Sequence, residues 1–402
     1  MSANVYDYLA WRGDLTLAER PFNEVDNLIL SLLSYIDLGG IVPPPGEGAI
    51  ALSDAAAAYF AAHGEPQPTL GEDGNTAVEW DWLFHLASQT ARFGTMRLCC
   101  YTDILDNEAN KQFCAVSIET EPGQLYLAYR GTSDDLAGWK EDFLLACMPE
   151  IPSHEEARRY LAKVAALYPD HALTLGGHSK GGNLAVYAAV TAEQAVRPRI
   201  RTVWTNDGPG FQQSFIDSGV FDDMLDRIRI IVPKSSMIGL LLSHRQPDMI
   251  VDSTQRGILQ HDAISWQVMR GQFVKLTELT GESLRAETEI NQWIDAMDIP
   301  TRKRFVDALF DTLSASGQLT VSGLLADVPK FLNASYTYLM DMDKETRERV
   351  LDFIRLLIDV ASRLELEAQR TEAQLLARTV HEKLQKALQI DWGNDKPALK
   401  KS

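Results

Sequence analysis

The chain has 402 residues and no uncharged apolar stretch as long as a bilayer-spanning helix requires; its richest run, Leu28 to Ile36, stops at Asp37 and Gly39. An integral membrane protein is therefore not expected. Cysteine is scarce: four occur, at 99, 100, 114 and 147. Their spacing matches no C-x-x-C zinc pair and is too sparse for a disulfide framework, so they read as reduced core residues. Basic charge is in deficit, with 38 Lys+Arg against 56 Asp+Glu and a net charge of −18. A polyanion would meet a repulsive field that no condensed basic patch relieves, which argues against nucleic acid or an anionic membrane surface as partner. The first thirty residues are charged throughout and lack an apolar h-region behind a basic start, so no secretory signal is read and a cytoplasmic location is expected.

What is present is enough apolar residue, 45% of the chain, to bury one core of about 200–250 residues with accessory helices around it. Three regions differ in texture. Residues 1–95 read as a helical cap or brace, broken at Val42-Pro43-Pro44-Pro45-Gly46 and carrying an Ala-rich helix over Ala55 to Ala62. Residues 96–270 alternate β-rich runs with amphipathic helices, the pattern of an α/β sheet. Strands are expected over Arg97–Asp103, Gln112–Ile118, Leu125–Tyr129, Ala172–Gly176, Arg201–Asn206 and Arg227–Val232. Ser153-His154-Glu155-Glu156 reads as a capping box opening a helix towards Tyr168, and a further helix is expected from Gly181 to about Glu193. Residues 271–402 read as a helical extension, with Phe305, Leu309, Thr312 and Leu313 on one face and Val350, Phe353, Ile354, Leu357, Ala361 and Leu364 at helical spacing on another. The last stretch, Glu365 to Leu388, reads either as a stabilising helix or as one that binds a partner protein.

The chemistry centres on Gly176-Gly177-His178-Ser179-Lys180-Gly181-Gly182. G-x-S-x-G between an apolar strand and a helix is the pattern of a nucleophile elbow, in which the serine sits on a strained turn. Glycines at 177 and 181 are what the crowding of strand on helix requires there. The amide of Lys180 would face a substrate oxygen near the helix N-terminus. A phosphate-binding loop does not fit, because Lys180 precedes the glycines it would have to follow. The expected fold is thus α/β, an α/β-hydrolase fold with a mostly parallel central sheet flanked by helices, an N-terminal helical segment and a C-terminal helical extension.

Tyr129-Arg130-Gly131-Thr132, Gly138-Trp139-Lys140-Glu141-Asp142 and the elbow together resemble the class 3 (fungal-type) lipase arrangement. That resemblance implies that Thr132 supplies a second oxyanion donor, and Trp139 and Asp142 read as anchors of the helix that follows. Pro21 to Asn27, Gly138 to Asp142, Gly177 to Gly182 and Gln260 to Val268 are also similar to segments of a bacterial α/β-hydrolase-like family with no assigned substrate. A base should follow the nucleophile in sequence, which leaves His244, His261 and His381. His261, in a loop before Trp266, is preferred; His381 falls in a charged helical tail. The acid is harder to place. The class 3 pattern puts it after the strand Arg227 to Val232, yet Lys234-Ser235-Ser236-Met237-Ile238-Gly239 holds no carboxylate. Asp207, similar in place to the acid of pancreatic-type lipases, is preferred, with Asp248, Asp252 or the hydroxyls of Ser235 and Ser236 as alternatives. Asp262 is set aside because adjacent side chains in an extended loop diverge.

Two functions follow. One is a serine hydrolase of carboxylic esters or thioesters, with no metal or organic cofactor, an acyl-enzyme intermediate, and an acyl pocket formed by Met237 to Leu242, Phe211 and Trp266. Its substrate would be a small acyl ester or lipid-like molecule. The other is a hydrolase-like scaffold whose C-terminal helices bind a partner, favoured by the missing carboxylate after Val232.

Overall fold

The computed structural model describes residues 3–64, 66, 80–133, 135–315, 317 and 328–388, and the side chains among them except those of 328–333 and 370–388. Four helices precede the main sheet strands: α1 (Val5–Arg12), α2 (Glu24–Leu33), α3 (Leu52–His63) and α4 (Trp80–Ser88). The strands are β1 (Ala49–Ala51), β2 (Arg97–Asp106), β3 (Lys111–Glu121), β4 (Gln124–Tyr129), β5 (Ala172–His178), β6 (Ile200–Asn206), β7 (Ile228–Pro233), β8 (Met249–Val251), β9 (Val268–Met269), β10 (Gln272–Phe273) and β11 (Lys275–Leu276). Between and after them run α5 (Leu136–Leu144), α6 (Pro152–Leu167), α7 (Lys180–Val190), the short α8 (Gln213–Ile216), α9 (Gly281–Asp295), α10 (Ile299–Ser314), α11 (Val328–Asp341) and α12 (Lys344–Leu388).

Among the described residues nine strands form one sheet in the order β1-β2-β3-β4-β5-β6-β7-β8-β11, with β9 and β10 as a separate hairpin. β4 to β8 pair in parallel. β1 to β4, and β8 with β11, pair antiparallel. The sheet is thus mixed, and its parallel half carries the elbow: an α/β-hydrolase fold. The six strands expected from sequence all form, each within about three residues of its expected bounds. β4 shows why they were visible. Leu125, Leu127 and Tyr129 face one core while Tyr126 and Ala128 face the other, so a short run is apolar on both sides.

The two cores define the layers. On one face α5, α6 and α7 pack with α10 and α12, through Leu144, Leu161, Leu184, Phe305 and Phe353. On the other lie α1 to α4, through Tyr8, Leu28, Leu52 and Phe84. α2 buries nine of its ten residues, Asp26, Asn27 and Ser31 among them, so those polar groups must find partners inside the protein. They do. Asp26 receives Arg92 and the Tyr8 hydroxyl, while Asn27, Ser31, Tyr126 and Asn206 form a closed network beneath β5. The second half of that network, Asn206 Nδ2, also donates to Gly177 O at 3.0 Å, which ties α2 to the strand that ends in the elbow.

One local expectation is corrected. Ser153 does not cap α6, because Pro152 already occupies the first helical turn. The His154 ring instead accepts from Ile151 N at 3.1 Å, and Ser153 Oγ turns to Glu141 at 2.7 Å. The four cysteines are free and buried. No described helix is long and apolar enough to cross a membrane.

Candidate active site

β5 ends at His178, and Ser179 turns the chain into α7 with φ +58° and ψ −135°. A non-glycine residue with positive φ stores roughly 1–3 kcal/mol of strain that its surroundings must hold in place. The glycines around it answer to crowding. A Cβ on Gly177 would lie 2.2 Å from the Gly181 carbonyl carbon, and one on Gly181 would lie 2.0 Å from Tyr129 O. Two other loops abut the serine. A Cβ on Gly131 would come within 3.1 Å of Ser179 Cβ, and one on Gly208 within 2.7 Å of Ser179 O. Ser179 is 9% exposed, and among the described residues its hydroxyl makes no hydrogen bond; serine–histidine contacts commonly tighten only when substrate arrives.

His261 and Asp207 are brought together. His261 Nδ1 lies 2.7 Å from Asp207 Oδ2, a distance at which the ring donates Nδ1–H and leaves Nε2 free to accept a proton. Asp207 has no solvent exposure and φ +51°. Its other oxygen accepts from Ser236 Oγ at 2.5 Å and Gly239 N at 3.2 Å. The remaining acid candidates are engaged elsewhere. Asp248 accepts from Ile230 N and Arg245, Asp252 from Lys234 and Gln267, and Asp262 from Ile264 N. Burial pushes the Asp262 carboxyl up to about 6. Ser235 N meets the Gln260 side chain. His244 faces Arg245 O and Glu287; the side chain of His381 lies outside the described residues.

His178 links the elbow to His261. Its Nε2 lies 2.8 Å from His261 O and its Nδ1 3.1 Å from the Tyr35 hydroxyl. The neutral ring, donating through Nε2 and accepting the Tyr35 hydroxyl through Nδ1, satisfies both. Burial holds its pKa well below the usual histidine value. From the far side, α12 packs on the turn Gly257–His261: a Cβ on Gly257 would touch Leu364 Cβ at 3.4 Å, and Arg256 pairs with Glu365.

The loop after β4 is held rigidly. Gln112 accepts from Ser133 N and donates to Ser133 Oγ and to Asp135. Thr132 Oγ1 donates to Asp142 Oδ2 at 2.5 Å. The anchoring of α5 differs in part from the sequence reading. Asp142 does tie α5 to the loop through Thr132, whereas Trp139 is 41% exposed. A further anchor is Glu141, fully buried, which accepts from Gln112 N, Ser153 N, Ser153 Oγ and Lys180 Nζ. Of the expected pocket residues, Phe211 and Trp266 are buried in the two cores, the indole N–H of Trp266 donating to Gln260 O, and in the segment after β7 Ser236 and Gly239 bond to Asp207. Sequence reasoning missed Glu141, Ser236 and Gly239 as supports because each acts on a residue many positions away.

A family model described as Mbeg1-like matches residues 87–311. The chain belongs to the Mbeg1-like family. The matched span runs from the end of α4 into α10 and includes the elbow, Asp207 and His261. No curated protein matches the chain. Among solved structures, a fungal lipase–inhibitor complex is similar at 17% identity and TM-score 0.27, over 35% of this chain and 58% of that one. The Rhizomucor miehei lipase propeptide complex is similar at 14% identity and TM-score 0.35, over 66% and 78%. Lip2 lipase from Yarrowia lipolytica is similar at 13% identity and TM-score 0.30, over 57% and 88%. The chain spans 58% of the first of these. At such scores the fold stands on strand order and elbow geometry instead of on these likenesses.

Proposed function

We propose that this Mbeg1-like protein is a serine hydrolase that cleaves a carboxylic ester or thioester of a small acyl or lipid-like substrate. Ser179 Oγ attacks the acyl carbon while His261 Nε2 takes its proton. Asp207 orients the ring and stabilises the imidazolium, and the amides of Thr132 and Lys180 hold the oxyanion. The leaving group departs with the proton from His261, and water, deprotonated by the same ring, frees the acid and regenerates the serine. One observation carries this reading: the 2.7 Å bond from His261 Nδ1 to a buried Asp207 whose second oxygen is locked by Ser236 and Gly239.

The scaffold alternative drew on the missing carboxylate after Val232. With Asp207 against His261, that reason falls away. Labelling with a fluorophosphonate probe tests the proposal. The wild type should label, and Ser179→Ala and His261→Ala should not; an unreactive wild type ends it.

A further inference from the structure

Lys180 follows the nucleophile, yet its side chain has no exposure at all. As the first residue of α7 it also places a cation at the positive end of a helix, so burial and helix dipole both oppose its charge. Two neighbouring carboxylates of α5 offset this cost. Nζ lies 3.0 Å from Glu141 Oε2 and 3.7 Å from Asp142 Oδ1. Glu141 also accepts three donors from Gln112 and Ser153. Asp142 has fewer: its Oδ1 faces the ammonium but has no hydrogen-bond partner, while its Oδ2 accepts a hydrogen bond from the Thr132 hydroxyl. The titratable groups near Asp142 include Lys180 from α7, Glu141 from its own helix, His261 and Tyr35.

We propose that the Lys180 ammonium is a positioning group for the oxyanion loop: it clamps α5 to the elbow through Glu141 and keeps Asp142 an anion, which in turn holds the Thr132 hydroxyl. Its consequence for rate rests on the serine-hydrolase reading; its electrostatics do not. Burial already lifts the Asp142 carboxyl to about 6, with Lys180 and the Thr132 bond as the main opposing influences. Without the ammonium, Asp142 takes up a proton near neutrality, the Thr132 hydroxyl exchanges a charged acceptor for a weaker neutral one, and the loop that presents the Thr132 amide loosens.

The decisive measurement is a carboxyl carbon-13 NMR titration of the full-length protein labelled at aspartate, with the Asp142 signal identified by its loss in Asp142→Asn. Lys180→Met should move the Asp142 midpoint to higher pH by about one unit or more. Glu141→Gln, which removes a repelling charge and leaves Lys180 to Asp142, should move it to lower pH. Opposite shifts support the clamp; an unmoved midpoint in Lys180→Met, or in Glu141→Gln should Lys180→Met fail to fold, overturns it. Kinetically, Lys180→Met should lower kcat by about tenfold or more with KM little changed, and Lys180→Arg should recover part of that loss; a wild-type kcat in folded Lys180→Met also overturns it. If the wild type fails to label with fluorophosphonate, the hydrolase reading is lost while the titration still judges the clamp.

Discussion

Asp207→Asn is the sharpest test of the site, because the structure predicts which way the new amide will turn. Two donors, Ser236 Oγ and Gly239 N, converge on Oδ1, and one, His261 Nδ1, faces Oδ2. An asparagine has one oxygen, and the pair of donors should claim it. The NH2 group then points at His261 Nδ1, which can meet it only as an acceptor, so the ring proton moves to Nε2 and the base is lost. A carboxylate-to-amide change in this role lowers kcat by about 10⁴ through the wrong tautomer, or about 5 kcal/mol of barrier. Packing should be preserved, since the two side chains have nearly the same shape. The assay is turnover of p-nitrophenyl acetate and butyrate, with urea unfolding alongside to show that the variant is folded. Asp248→Asn and Asp252→Asn serve as controls and should retain most activity. A folded Asp207→Asn that turns over within about tenfold of wild type would refute the reasoning, as would controls that lose as much.

Other changes probe the supports. Asp262 has a raised folded pKa of about 6 against an ordinary 3.8, so between these values the native state binds more protons than the unfolded chain and stability falls as pH rises. Asp262→Asn keeps the cap on Ile264 N and removes that slope, so in urea melts it should gain up to about 3 kcal/mol on wild type at pH 7.5 and almost nothing at pH 3.5; an equal gain at both pH values contradicts the assignment. Leu364→Ala, at a buried position of α12 beside the base turn, should cost about 2–4 kcal/mol in denaturant unfolding, and a cost below about 0.5 kcal/mol would show that the helix does not brace His261. Ser179→Gly should unfold at higher urea than Ser179→Ala, because only glycine relieves φ +58° and the relief of about 1–3 kcal/mol exceeds the usual entropic penalty of glycine. The reverse order would mean that the elbow is unstrained.

How far the sequence reached depended on whether a signal was local. β4 and β5 are short apolar runs buried on both faces, so composition alone marks them. The three-residue β1 and β8 and the two-residue β11 are too short for any period to show, and they exist only because a formed sheet offers them an edge. The glycines at 177 and 181 could be read because the crowding that demands them arises within a few residues. The contact between Asp207 and His261 spans 54 positions; sequence supplied candidates on both sides, and only the resemblance to pancreatic-type lipases joined Asp207 to the histidine. Trp139 is exposed despite its size, whereas Glu141, two residues on, anchors α5 through partners on β3, α6 and α7.

The distribution of strain and buried charge carries the last step. Among the described residues, six non-glycine residues have positive φ, and Ser179 and Asp207 are two of them. Each immediately follows one of two adjacent parallel strands, β5 and β6. Six of the buried ionisable or amide side chains, His178, Lys180, Asn183, Asn206, Asp207 and Glu141, gather at the same end of the sheet. Every one of them costs folding free energy unless its partners are positioned for it, and a core of apolar residues would be more stable. A fold selected only as a platform for its C-terminal helices has no use for two strained turns facing each other over a buried carboxylate. The expense is accounted for if Ser179 must stand clear of the sheet, with Asp207 and His261 held in one orientation for the approaching acyl group.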